Sequence, residues 1–220
     1  MTNTRSLVGG LTHCIAASFS LVALVLLIVF ASIWGNAYHI VTYTIFGTSM
    51  FLMYLFSTLY HWLNLSGKAL IFFKKFDQIL SYIFIAATYT PICLVLLRGS
   101  WGWSIFGVIW GLVTCAIIMT AIWTKIPKAL TYSLFFTISS IILIAIVPLI
   151  NALNALNMFN SFWWLLVGAI FYFIGGLSYI LKWPKINAKH FTNHELLHIF
   201  MILGTIPHFW LFIHHFIQIN

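Results

Sequence analysis

What most constrains this chain is a succession of apolar runs, each longer than the roughly 18 residues that mark a membrane-spanning helix. Hydropathy places them at Leu7–Ile33, His39–Leu63, Leu70–Leu97, Trp101–Trp123, Pro127–Ile150, Phe159–Leu181 and Asn193–Ile217. Turn-forming breaks separate them: Trp34-Gly35-Asn36, Asn64-Leu65-Ser66-Gly67, Arg98-Gly99-Ser100, Lys125-Ile126-Pro127 and Lys182-Trp183-Pro184. Asn151, Asn154 and Asn157 punctuate a stretch read as a polar loop between the fifth and sixth spans. The expected fold is an all-α integral membrane protein, a single seven-transmembrane-helix domain over residues 1–220. Of 220 residues, 63% are hydrophobic and 5% charged, which leaves too few charges to cover a soluble globule and excludes a disordered chain. The runs are continuous rather than alternating, which argues against a β-barrel. The first run is too long for a cleavable signal peptide. Cys14, Cys93 and Cys115 lie inside apolar runs with no CxxC spacing, so no disulfide framework is expected.

A net charge of +8 would suggest nucleic acid in a soluble protein; here it reports topology, and no nucleic-acid partner is expected. With the N-terminus in the cytoplasm, Arg5, Lys68, Lys74, Lys75, Lys125, Lys128, Lys182, Lys185 and Lys189 all fall on the cytoplasmic side. Only Arg98 falls on the other. Lys and Arg are retained inside, so the expected orientation is N-terminus in, C-terminus out. In a bacterium, helical spans place the protein in the inner membrane.

An ionisable residue within a bilayer is costly, and its position is informative for that reason. The chain has two acids, Asp77 at the start of the third span and Glu195 at the start of the seventh. The second span ends Ser57-Thr-Leu-Tyr-His61 and the seventh begins His194-Glu-Leu-Leu-His198. The topology brings all of these to one leaflet. His194 and His198 share a helix face one turn apart, a spacing that puts two imidazoles on one metal ion. His61 can supply a third nitrogen. Three His ligands leave a fourth position for water, the layout of a catalytic zinc, although imidazoles suit several divalent metals. Ser57, one turn from His61, can hydrogen-bond a ligand or stabilise an oxyanion. Asp77 can take a proton from a water activated there.

Other polar residues are assigned by position. His13, on the first span, is near the same leaflet and is read as an outer polar neighbour. His208 lies about 15 Å beyond His198 at 1.5 Å per residue, too far to share the ion. His214 and His215 fall at the outer interface, and His39 and His190 at loops or interfaces. HELLH is also a literal HExxH, but its place in the last span, with the only Asp far upstream, disfavours a zinc protease. Glu195 is read either as a cap for the seventh span or as a direct participant. The Gly107-Val-Ile-Trp-Gly111 spacing fits close packing within the chain or association of two chains.

These strings resemble the hemolysin III proteins, which are grouped with the progestin and adipoQ receptors and, more distantly, the alkaline ceramidases. The resemblance rests on Ser57-Thr-Leu-Tyr-His61, Phe76-Asp77-Gln78, His194-Glu-Leu-Leu-His198, the later His208 and the Thr12-His13 pair, and covers essentially the whole chain. It implies a zinc ion on His61, His194 and His198, with Asp77 contacting it through water and Ser57 nearby. It also implies a membrane-embedded hydrolase fold whose better-studied relatives cleave lipid amides. One departure stands out: the acidic residue and Asn that usually precede the Thr-His pair are absent from Thr4-Arg5-Ser6-Leu7-Val8-Gly9-Gly10-Leu11. That bears on the substrate entrance more than on the metal.

The leading expectation is a zinc-dependent hydrolase of a lipid-like amide or ester, with membrane lipids as surroundings and a small lipid-like molecule as substrate. The alternatives are a channel-forming or haemolytic protein with a structural zinc, and a ligand-sensing receptor, for which the loops are short and a large cytoplasmic domain is not expected.

Overall fold

The computed structural model describes residues 7–123, 126–186 and 191–219; Arg5, Lys125, Lys189 and His190 lie outside the described residues. Seven helices are long and apolar enough to cross a membrane. They are α1 (Leu7–Trp34), α2 (Ala37–Trp62), α3 (Gly67–Leu97), α4 (Gly99–Ile122), α5 (Lys128–Ala155), α6 (Ser161–Leu181) and α7 (Asn193–Gln218). No β-strand occurs among the described residues.

The end of α5 departs from expectation. Residues read as a polar loop continue the helix to Ala155. Leu149 and Leu153, one turn apart, are 2% and 0% exposed, so their burial carries the helix on, while Asn151 and Asn154 sit on its exposed side. The chain turns only at Asn157, in the left-handed region at φ 55.

α3 is the central helix: every residue from 86 to 96 is buried. The outer helices present apolar faces outward, as lipid requires; Phe19 is 73% and Ile122 70% exposed. Helix association in a membrane relies on close backbone approach at small residues, and α6 and α7 meet in that way. A Cβ at Gly204 would lie 2.5 Å from the Tyr172 ring, and one at Gly168 would lie 2.2 Å from the His208 ring. At one end of the α1–α2 pair, a Cβ at Gly10 would fall 2.0 Å from the Trp62 ring. Gly107 and Gly111 differ: both are exposed and a Cβ at either would meet nothing within 4 Å, so close packing within the chain does not account for them.

Two π-helical stretches, Ile92–Leu97 in α3 and Leu211–His215 in α7, follow prolines inside their helices, Pro91 and Pro207. Proline removes a backbone donor and loosens the regular ladder. Side chains from α2 take up carbonyls near the end of α7. Tyr43 Oη donates to Phe212 O at 2.5 Å, and His39 Nε2 donates to Phe216 O at 2.8 Å. His39 is thus not the loop or interface residue expected; it is fully buried and ties the start of α2 to the end of α7.

The described lysines gather at one end. Lys68, Lys74 and Lys75 flank the start of α3, Lys128 opens α5, and Lys182 and Lys185 follow α6. Lys75 Nζ donates to Ala121 O at 2.9 Å, joining the start of α3 to the end of α4. Arg98, at the opposite end, lies over the Tyr38 ring, 5.0 Å from its centroid.

Candidate metal centre

The lysine-rich end also carries the starts of α1, α3 and α7 and the end of α2, so sequence-distant polar residues meet there. α7 begins with a complete cap. Thr192 Oγ1 accepts from His194 N at 3.1 Å, and Glu195 Oε2 accepts from Thr192 N at 2.8 Å. This is a capping box, in which the third helical residue reaches back to the cap. Of the two roles open for Glu195, the structure gives it capping; it is 4% exposed at the positive end of the helix dipole. The cap matters because the first two turns of α7 carry His194 and His198.

His61, His194 and His198 converge. One ring nitrogen from each lies within 4.8 Å of the others. Ring centroids are 5.4 Å apart for His61–His194, 5.4 Å for His61–His198 and 4.2 Å for His194–His198. Two imidazole nitrogens on one tetrahedral zinc stand about 3.3 Å apart, given bonds of about 2.0–2.1 Å. His61 and His198 are 4% exposed and His194 is partly exposed, so the group is enclosed below and reachable above. The three residues fit a metal ion, and nitrogen donors favour a borderline divalent one.

Ser57 and Asp77 meet beside this group. The Ser57 side chain lies beside the Asp77 carboxylate, one helical turn below His61. Asp77 is not among the three clustered nitrogen donors but stands in their neighbourhood on α3. Ser57 is buried, while Asp77 keeps partial exposure. Tyr179, with its ring 5.6 Å from His194, flanks the site from α6.

His13, on α1, packs directly against this group without being one of the three. It is 1% exposed, and its ring centroid is 3.9 Å from that of His198 at 77° and 6.2 Å from that of His61. His208, as expected, is not part of the group. Its Nδ1 donates to Gly204 O at 2.8 Å and its ring stacks on Tyr172.

Below the histidines runs a polar column that the sequence reading did not identify. Thr205 Oγ1 donates to Met201 O at 2.8 Å and accepts from Tyr54 Oη at 2.9 Å and Tyr172 Oη at 3.1 Å. The pattern was present in the sequence: Tyr54 is seven residues before His61, and Thr205 seven after His198, on the same faces as the ligands.

Seven apolar helices with three histidines gathered at one end define an integral, multi-pass membrane protein whose second and last spans share a histidine cluster that could hold a metal ion. The model of the haemolysin-III related family matches residues 1–209. Hemolysin-3 of Bacillus cereus is 34% identical over 202 residues, spanning 91% of this chain and 87% of that protein. The Hemolysin-3 homolog of Bacillus subtilis (strain 168) is 31% identical over 209 residues, spanning 95% and 93%. The chain belongs to the haemolysin-III related family.

Proposed function

We propose that this protein is a zinc-dependent membrane hydrolase that cleaves a lipid-like amide or ester at the cytoplasmic leaflet. The observation that carries the reading is the juxtaposition of three convergent histidines with the neighbouring Ser57 and Asp77 at the lysine-rich end of the bundle. His61, His194 and His198 would hold the ion, which supplies a Lewis acid and makes water nucleophilic near neutral pH. The chain's own residues do the rest. Asp77 takes the proton of the attacking water and passes it to the leaving group. Ser57 holds the carboxylate in place through its hydroxyl. The partial exposure of Asp77 and His194 admits water, and the apolar flanks of the bundle admit an acyl chain. The lysines at this end suit the cytoplasmic face and attract anionic headgroups.

The test measures zinc content and hydrolysis of long-chain fluorogenic esters and N-acyl amides by detergent-purified protein. Asp77→Asn is expected to keep one zinc per chain and lose about 10²–10⁴-fold in rate, the range for a general base. His61→Ala is expected to lose both. Wild-type hydrolysis by Asp77→Asn with zinc bound would overturn the mechanism. The second reading, a lytic protein in which zinc ties α2 to α7, is favoured by the name Hemolysin-3 that both relatives carry. It gains if the zinc-loaded protein hydrolyses none of these substrates but permeabilises vesicles.

A further inference from the structure

His13 presents a problem that the three-histidine site leaves unsolved. It sits on α1 and is 1% exposed, yet neither of its ring nitrogens has a hydrogen-bond partner among the described residues. Nδ1 of its neighbour His198 is in the same condition. Buried polar atoms are nearly always satisfied, because desolvation without a partner costs stability. Here three such atoms occur in the closest ring pair among the described residues, at 3.9 Å between centroids.

The site places His13 carefully. Gly10, one turn earlier on α1, has no Cβ to meet the Trp62 ring, so α1 can lie close against the end of α2. That approach delivers the His13 ring between Tyr54, at 5.6 Å, and His198. His13 stands outside the group of three convergent nitrogen donors, and its ring is 6.2 Å from that of His61. It is placed beside a ligand rather than as one. A histidine that binds a metal through one nitrogen carries a hydrogen on the other and needs an acceptor for it. For His198 the neighbour within reach is His13.

We propose that His13 is a positioning residue, whose ring nitrogen accepts a hydrogen bond from the ring N–H of His198 and thereby fixes the nitrogen that His198 turns toward the metal. A turn of either ring out of the present 77° edge contact makes that pairing and satisfies an orphaned atom on each ring. The inference rests on the metal site of the proposed function but not on the reaction.

The experiment measures zinc affinity of the full-length, detergent-purified chain by competition with a chelator, with no substrate present. Wild type is expected to bind one zinc and His61→Ala none. His13→Leu is expected to weaken zinc binding by about 10–100-fold, the usual loss when an outer-shell partner of a ligand is removed. His13→Gln or His13→Asn, whose amide oxygen can accept at the position of one ring nitrogen, is expected to recover most of that loss. X-ray absorption of zinc-loaded wild type should count three imidazoles. Wild-type affinity in His13→Leu would overturn the inference and leave the metal site standing, as would failure of both amide variants to rescue. Four imidazoles would overturn it by making His13 a ligand. Absence of zinc from wild type would overturn both the inference and the function it rests on.

Discussion

Replacing Thr205 by Val tests whether the polar column beneath the histidines stabilises the bundle. The two side chains have nearly the same shape, so the substitution opens little cavity and removes essentially one hydroxyl. That hydroxyl holds three hydrogen bonds, to Met201 O, Tyr54 Oη and Tyr172 Oη. Met201 O lies within helix α7, where the regular i→i−4 ladder also uses it, so its loss is small. Tyr172 is only partly buried, so its phenol is the less confined of the two. Tyr54, 2% exposed, is left with a stranded phenol. Stranding a buried donor costs about 1–3 kcal/mol, and interhelical hydrogen bonds in membranes reach at most about 1.7 kcal/mol. The expected loss is therefore about 1–2 kcal/mol. Removing the stranded group as well should return much of it, so Tyr54→Phe/Thr205→Val should be more stable than Thr205→Val alone. Cys93, fully buried in α3, provides the assay. With Cys14 and Cys115 replaced by Ala, a thiol-reactive fluorophore reports the unfolding equilibrium in bicelles. A Thr205→Val protein within about 0.5 kcal/mol of wild type, or a double variant less stable than the single, would refute the argument.

Two further outcomes follow from packing and capping. Gly204→Ala would press a methyl onto the Tyr172 ring and should cost about 1–3 kcal/mol, whereas Gly107→Ala, facing open space, should be neutral or gain up to about 1 kcal/mol from helix propensity; thermal unfolding of the two variants compares them directly. Glu195→Ala removes the acceptor for Thr192 N and should cost about 1 kcal/mol and weaken zinc binding by fraying the turn that carries His194, while Glu195→Gln, which keeps a capping-box acceptor, should retain more of both; equal zinc affinity in the two variants would show that the cap does not set the site.

Much of the architecture was legible because lipid imposes a simple rule on sequence: a spanning segment must be long, apolar and nearly free of charge. All span ends fall within three residues of expectation except that of α5, where burial of Leu149 and Leu153 outweighed the polarity of Asn151 and Asn154. The three clustered histidines were legible because the i, i+4 pair lies on one helix face and alternating spans bring the end of α2 to the depth of the start of α7. The contact of His13 with His198 was not, since it depends on how closely α1 approaches its neighbours, and that is set by Gly10 against Trp62. The column through Tyr54, Thr205 and Tyr172 extends the same helix faces by two more turns, but which hydroxyls meet depends on the α6–α7 approach at Gly168 and Gly204. The fully buried His39 was misplaced because its partner is a carbonyl some 177 residues away.

The distribution of the clustered histidines between α2 and α7 has a consequence for how the protein is made. Helices enter a membrane in the order in which they are synthesised, so His61 and Asp77 are inserted early and remain without their counterparts until the last span arrives. His194 and His198 are delivered by that final helix, whose far end is then fastened to α2 through His39 and Tyr43. A chain interrupted before α7 therefore holds one histidine of the cluster, and a chain that completes insertion holds all three. An ion held by the three histidines would be captured only as the bundle is completed, and would clasp its early and late halves together.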